Sequence, residues 1–296
     1  MNQSTIRRDA HAVGVVLVVA SALAFSLAGI LTKLIDADAW TISCWRGLVG
    51  GVLIAAYVAW LGRDKPLRGT FRLGWQGWLL ATVGSAASLA FIFAFKLTYI
   101  ANVAVIYATV PFMAAALSWW LLREKFKRRT TIAATVSIVG VIIVVGGGLG
   151  STNLIGDAVA LLMTLGNALY MVLIRVFRDS PVVLAGGVSA LQLFVVGWFV
   201  VDPLSVSVQD ASLLVLFGVS FAVAVVLWTE GTKLIPAAEA GLLGTAETPF
   251  AIILAWLLLA ELPPIASFVG GGIILAAVLA HARRDLVQAR LAEPNV

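Results

Sequence analysis

Charge is scarce in this chain. Of 296 residues only 12% are charged, against 61% hydrophobic, whereas soluble chains run near a quarter charged and half apolar. That balance excludes an ordinary soluble fold. Cysteine is nearly absent too. Cys44 stands alone, so neither an intramolecular disulfide nor a cysteine metal cluster can form. The two histidines, His11 and His281, lie at opposite ends of the chain, which argues against a metal site built from His and Cys. No GxxxxGKS/T motif encodes an ATP-driven engine, and no HExxH or GxSxG points to a membrane protease or hydrolase. The Gly146–Gly150 run lacks the strand, helix and downstream acid of a dinucleotide site. No cofactor, no metal and no enzymatic activity are therefore expected.

What the chain has instead is long apolar runs. A membrane-spanning helix needs about 20 mostly apolar residues, and runs of that kind fall at 11–35, 40–61, 73–95, 99–122, 130–148, 155–176, 181–201, 211–232, 236–259 and 264–282. The expected fold is an all-α membrane protein of ten transmembrane helices. The first run is too long for a signal peptide and is read as a retained helix. The +5 net charge is explained by basic loops on one membrane face rather than by a nucleic-acid partner. Arg7, Arg8, Arg63, Lys65, Arg68 and Arg72 fall on one side with Arg123, Lys125, Lys127, Arg128 and Arg129, and with Arg175, Arg178, Lys233, Arg283, Arg284 and Arg290. Lys33 and Lys96 fall on the other, as outer anchors. Basic residues favour the cytoplasm, so both termini are expected inside.

The chain also repeats itself. Gly14 to Lys33 and Gly156 to Arg175 share a 19-residue spacing. Pro111-Phe112, Trp119 and Glu124 recur in the same order as Pro249-Phe250, Trp256 and Glu261, and Lys96-Leu97 matches Lys233-Leu234 with one residue of slippage. Two five-span halves, 1–148 and 155–283, follow, with an external linker at 149–154 and a cytoplasmic tail at 284–296. An odd number of spans per half inverts the second half, and inverted repeats characterise secondary transporters with a site near the bilayer midplane.

On the strength of this 5+5 plan, the Trp45-Arg46 pair and the two Pro-Phe…Glu patterns, the chain resembles the drug/metabolite transporter superfamily, specifically its ten-helix EamA-type members. The nearest likeness is to the exporters of aromatic and other bulky amino acids. That resemblance implies a bacterial inner-membrane location, a small-molecule substrate and a central cavity lined by helices one, three, four, six, eight and nine. Helices five and ten would be peripheral. Nothing fixes the oligomeric state, and a monomer suffices.

Two ionisable residues lie deep. An ionisable group within a span needs a partner or a wet cavity. Glu247 lies near the middle of span nine. Arg46 lies two turns into span two, about 7 Å from Glu247 along the membrane normal at 1.5 Å per residue. They are read as a substrate-facing pair, with Glu247 alternatively gating or coupling protons; otherwise Arg46 snorkels outward and Glu247 clamps helices. Glu230 and Glu239 are read as interfacial charges balancing Lys233, and Glu124 and Glu261 as helix-end contacts. Pro111 and Pro249 should break spans four and nine, freeing the carbonyls of Tyr107 and Thr245. Further lining candidates are Asn167 and Tyr170 in span six, Ser85, Ser88 and Phe95 in span three, and Trp228 in span eight. They lie on stripes that ordinary helix packing also uses. Gly47–Gly51 is read as a helix-contact spacing alone. The expected activity is export of small hydrophobic or aromatic solutes. Phosphorylated sugars, nucleotides or cationic drugs are the alternative, and an intramembrane enzyme a remote one. A single deep cation disfavours phosphate recognition, which leans on several.

Overall fold

A computed structural model describes residues 3–62, 72–123, 128–147, 153–177 and 180–292. Among them the chain is helical, without a strand, in twelve helices. These are α1 (Gln3–Leu34), α2 (Ala39–Leu61), α3 (Gly74–Leu97), α4 (Ile100–Tyr107), α5 (Val110–Leu122), α6 (Arg128–Gly147), α7 (Asn153–Val176), α8 (Val182–Val200), α9 (Val208–Thr232), α10 (Ala237–Gly244), α11 (Glu247–Leu259) and α12 (Ile265–Ala292). Seven spans among the described residues are long and apolar enough to cross a membrane, one of them running from Glu239 through α11. They become eight if α4 and α5, bent by 40° at their junction, count as one broken span. The remaining two expected spans correspond to shorter apolar helices, Thr131–Gly147 and Ile265–Ala280. The expected tail at 284–296 is helical as far as Ala292. Arg63, Lys65, Arg68, Glu124, Lys125, Lys127, Arg178 and most of the 149–154 linker lie outside the described residues.

Helix starts follow local chemistry. Asp38 caps α2, its carboxylate accepting from the N–H groups of Trp40 (2.8 Å) and Thr41 (3.1 Å) and from the Thr41 hydroxyl (2.6 Å). Partial burial pushes the pKa of this carboxyl up, but those hydrogen bonds to its charged form outweigh burial and hold it below the ordinary carboxylate value. Ser207 caps α9 by accepting from the Asp210 N–H at 3.0 Å.

The two broken segments are alike in detail. α4 and α10 are both eight residues long, and α5 and α11 are both thirteen. Each element starts 137 positions after its equivalent, Ile100 to Ala237 and Val110 to Glu247. Each segment ends on a non-glycine residue in the left-handed region, Arg123 at φ 53° and Ala260 at φ 50°. Lys96 and Lys233, Trp119 and Trp256, and Glu124 and Glu261 keep that 137-residue spacing, but the prolines are 138 apart. The slippage noted in the sequence thus belongs to the prolines. Pro111 is the second residue of α5 and Pro249 the third of α11, both in a first turn where a missing N–H costs little. Both spans are thus broken just before the proline, which sits in the first turn of the second half-helix rather than inside one continuous helix.

The helices pair across the two halves: α2 lies along α8, α3 along α7 and α8, α1 along α9, and α6 along α12. With little hydrophobic drive between helices in lipid, such pairs depend on close van der Waals approach. Gly47 and Gly51 supply it, since a Cβ on Gly47 would meet the Ala190 carbonyl and the Phe194 N–H of α8, and one on Gly51 the Leu191 side chain. Gly140 and Gly270 do the same between α6 and α12. Gly47→Val should therefore lower stability by about 1–3 kcal/mol through overpacking against backbone. Gly272→Ala, where added atoms meet open space, should be neutral or stabilising by up to about 1 kcal/mol. Thermal unfolding of the two variants in detergent checks the contrast.

Candidate functional site

Between the helix pairs lies a cavity of about 320 Å³. Three phenyl rings set its most distinctive corner. Arg46, eighth residue of α2, is 5% exposed, and its guanidinium carbon sits 4.6 Å from the Phe221 ring centroid, 5.4 Å from Phe217 and 5.9 Å from Phe91. Cation–π attraction holds such a group in an apolar setting where isolated charge is costly. Its Nη2 donates to the Ser88 hydroxyl of α3, which takes one of the five guanidinium N–H donors. Among the described residues no other acceptor meets it. The corner is thus oriented, desolvated and still able to donate to an anion.

Glu247 borders the same cavity. It is the first residue of α11, set where the chain leaves the break at Thr245–Ala246, so the half-helix start aims a carboxylate at open volume. Among the described residues Arg46 and Glu247 form no ion pair with each other. The expected pair is instead an arginine and a glutamate facing one cavity. Tyr107, the last residue of α4, lines it beside them, as do Asn167 and Tyr170 of α7 and Trp228 of α9. Asn167 anchors its amide on the Met163 carbonyl of its own helix at 3.0 Å.

Three candidates lie elsewhere. Ser85 turns to α8, donating to the Ser189 carbonyl (2.9 Å) and to Gln192 Oε1 (2.6 Å). It is one turn minus 60° from Ser88, enough to move it from cavity to helix seam. Phe95 is 4% exposed in the core beside α4, stacked edge-on against Phe91 at 4.7 Å. Thr245 closes the half-helix break, its hydroxyl donating to the Leu242 carbonyl at 2.6 Å. Its own carbonyl, expected to be freed by Pro249, accepts from the Thr248 N–H at 3.3 Å. Glu230 and Glu239 are both engaged near the helix ends, with Lys233 at 2.6 Å and His11 at 3.0 Å respectively. Beyond the expected lining helices, α2 contributes Arg46 and α8 contributes Gly186 and Ser189. α6 and α12 contribute nothing among the described residues.

The sequence reading missed a polar cluster apart from this cavity. Asp157 of α7 is fully buried. It accepts from the Thr98 hydroxyl at 2.7 Å and from Asn102 Nδ2 at 3.0 and 3.2 Å, while Ser267 of α12 donates to Asn102 Oδ1. Asp157 directly follows the Gly156 used to align the halves, so its intramembrane position was a legible signal.

Fold and site together define a helical membrane protein with a central amphipathic cavity between paired helices. The model of the EamA-like transporter family matches residues 12–146 and again residues 154–282, and the chain belongs to that family, whose members are membrane transporters of small solutes. A search of curated proteins gives no match. A solved structure titled "Crystal structure of protein" resembles the chain at TM-score 0.64 and 19% identity, over 95% of this chain and 99% of that one. At that identity it speaks to the fold.

Since each proline occupies a first turn, where its missing N–H costs little, Pro249→Ala should change thermal stability by no more than about 1 kcal/mol and leave helix content intact. A loss of helical circular dichroism, or a larger drop in Tm, would return the break to the proline.

Proposed function

We propose that the chain is a secondary transporter or facilitator that exports small hydrophobic or aromatic solutes, amino acids first, by alternating access to this cavity. In this reading ten spans form two inverted five-helix halves, 1–148 and 155–283, with both termini cytoplasmic in a bacterial inner membrane. The double family match and the equal half-helix pairs at a 137-residue spacing support that arrangement.

The observation that carries the substrate class is Arg46. A buried guanidinium with spare donors recognises a planar anion such as a carboxylate, and Glu247 faces the same volume with a carboxyl group that an ammonium group can meet. Between them Phe91, Phe217, Tyr170 and Trp228 offer aromatic surface. A zwitterion with a bulky apolar side chain satisfies all three features. Arg46 is the one arginine or lysine among the lining residues, which fits one carboxylate better than a phosphate. Loss of a charge-assisted hydrogen bond of about 1.5–3 kcal/mol corresponds to roughly ten- to a hundred-fold in affinity.

Counterflow in proteoliposomes preloaded with phenylalanine, phenethylamine or 3-phenylpropionate tests this. Phenylalanine should be carried, and both truncated analogues should compete at least about tenfold more weakly. Arg46→Gln should selectively abolish the preference over phenethylamine, and Glu247→Gln the preference over phenylpropionate. Flux indifferent to carboxylate and amine would sink the substrate class.

A further inference from the structure

The two broken segments are alike in length and register but not in surroundings. Residues Ile100–Ile106 of α4 are all buried, and α4 packs on α7, α11 and α12. In α10, Ala240 is buried while Gly241 is exposed and has open space around it, and its packing partners are α1, α12 and α9. The third residue of each half-helix makes the comparison directly. Asn102 is 2% exposed and bound to the fully buried Asp157. Glu239, 137 positions on, meets a His11 whose side chain is 48% exposed.

These contacts lie at opposite ends of the bundle. His11 and Lys33 are 22 residues apart on α1, about 33 Å at 1.5 Å per residue. Lys33 pairs with Glu261 at 3.3 Å, and the other oxygen of Glu261 accepts from the Ile100 N–H at the start of α4, where a carboxylate also meets the positive end of the helix dipole. The Lys33 end is therefore the Asp157 end. There Thr98, Asn102, Asp157 and Ser267 tie together the α3 C-cap, α4, α7 and α12, and each is at most 3% exposed. The cavity lies to the other side of this cluster. It extends to Ile174, Val182 and Thr229, near the ends of α7 and α9 and the start of α8. A small pocket of about 10 Å³, lined by Ser26, Phe95 and Ala104, lies between the cavity and α4.

We propose that the Asp157–Thr98–Asn102–Ser267 cluster, with Glu261 capping α4, is the latch that closes one end of the transport path. Releasing α4 from it opens the site to that face. The inference rests on the transporter reading above but not on its substrate. The latch needs no ion to form, because Asp157 is held by neutral hydroxyl and amide donors. The bonds through Asn102, to Asp157 and from Ser267, are lost together once α4 moves away, which suits a two-position element. α10, carrying Glu239 at the matching position, is the unlatched half-helix of the same device.

The test is sided cysteine labelling. On a Cys44→Ser background, Ser26→Cys places one thiol in the small pocket beneath the latch, and an impermeant maleimide is applied to each face of sealed vesicles in turn. With the latch intact, the thiol should react much faster from the face bearing the N-terminus of α1. Asp157→Ala should raise the rate from the opposite face at least tenfold. Should Asp157→Ala fail to fold, Ser267→Ala removes a single bond of the cluster and should shift the rate in the same direction by a smaller factor. Unchanged labelling from the latch face in every variant that folds would overturn the proposal. The readout needs no substrate, so a wrong substrate class would show as absent counterflow beside an intact labelling shift.

Discussion

Hydrocarbon offers no hydrogen bonds, and the whole structure answers to that constraint. A polar group placed among these helices must find a partner within the protein or face a wet space. Arg46 meets the demand with Ser88 and three phenyl rings, and Asp157 with Thr98 and Asn102. The half-helix breaks meet it by turning Thr109 and Thr245 hydroxyls back onto the Ile106 and Leu242 carbonyls, at 2.7 and 2.6 Å. Two groups depart from it. The Ser137 hydroxyl of α6 is buried without a partner among the described residues, and Glu247, which no described side chain satisfies, borders the cavity.

The same constraint explains how much of the fold was legible. A span must be nearly continuous in apolar residues to exist at all, so the runs could be marked from composition, and the helices fall close to them. What the runs conceal is where a span is broken. Proline was the natural marker, yet it marks only a tolerant position in the first turn after each break. The break itself falls at Ala108–Thr109 and Thr245–Ala246, and threonine that bonds to a carbonyl three residues back looks in sequence like any small polar residue. Hence the prolines lie 138 residues apart and the helices 137.

Side chains were harder to place than helices, because periodicity tells which residues share a face and not which neighbour that face meets. Ser85 and Ser88 were read as one stripe. In the bundle Ser88 reaches Arg46 and Ser85 reaches Gln192, since three helices rather than one surround that face of α3. Tyr107, Asn167, Tyr170 and Trp228 did reach the cavity with the two charges. Each is a large or amide side chain whose polar end must be satisfied near other such ends. Asn102 and Asp157 were missed because they sit close to span ends, where a polar residue reads as interfacial. Only the tertiary arrangement shows that this end of the bundle is dry.

That dryness is also what the two halves do not share. Half-helices of equal length and register lie in different surroundings, α4 in a closed, hydrogen-bonded core and α10 partly exposed. If α4 and α10 had each been given the same polar partners, both ends would tend to close together and the cavity would be sealed. The chain differs at the position that matters: Asn102 on α4, which donates to a buried carboxylate, and Glu239 on α10, which cannot donate and pairs with a half-exposed histidine. An amide can donate to Asp157, whereas a second carboxylate beside it would add like-charge repulsion and leave Asp157 without that donor. On the latch proposal, this difference holds one end closed and leaves the other towards water. The resting direction is then set by a few polar side chains near the helix ends, and the cavity residues remain free to choose the solute.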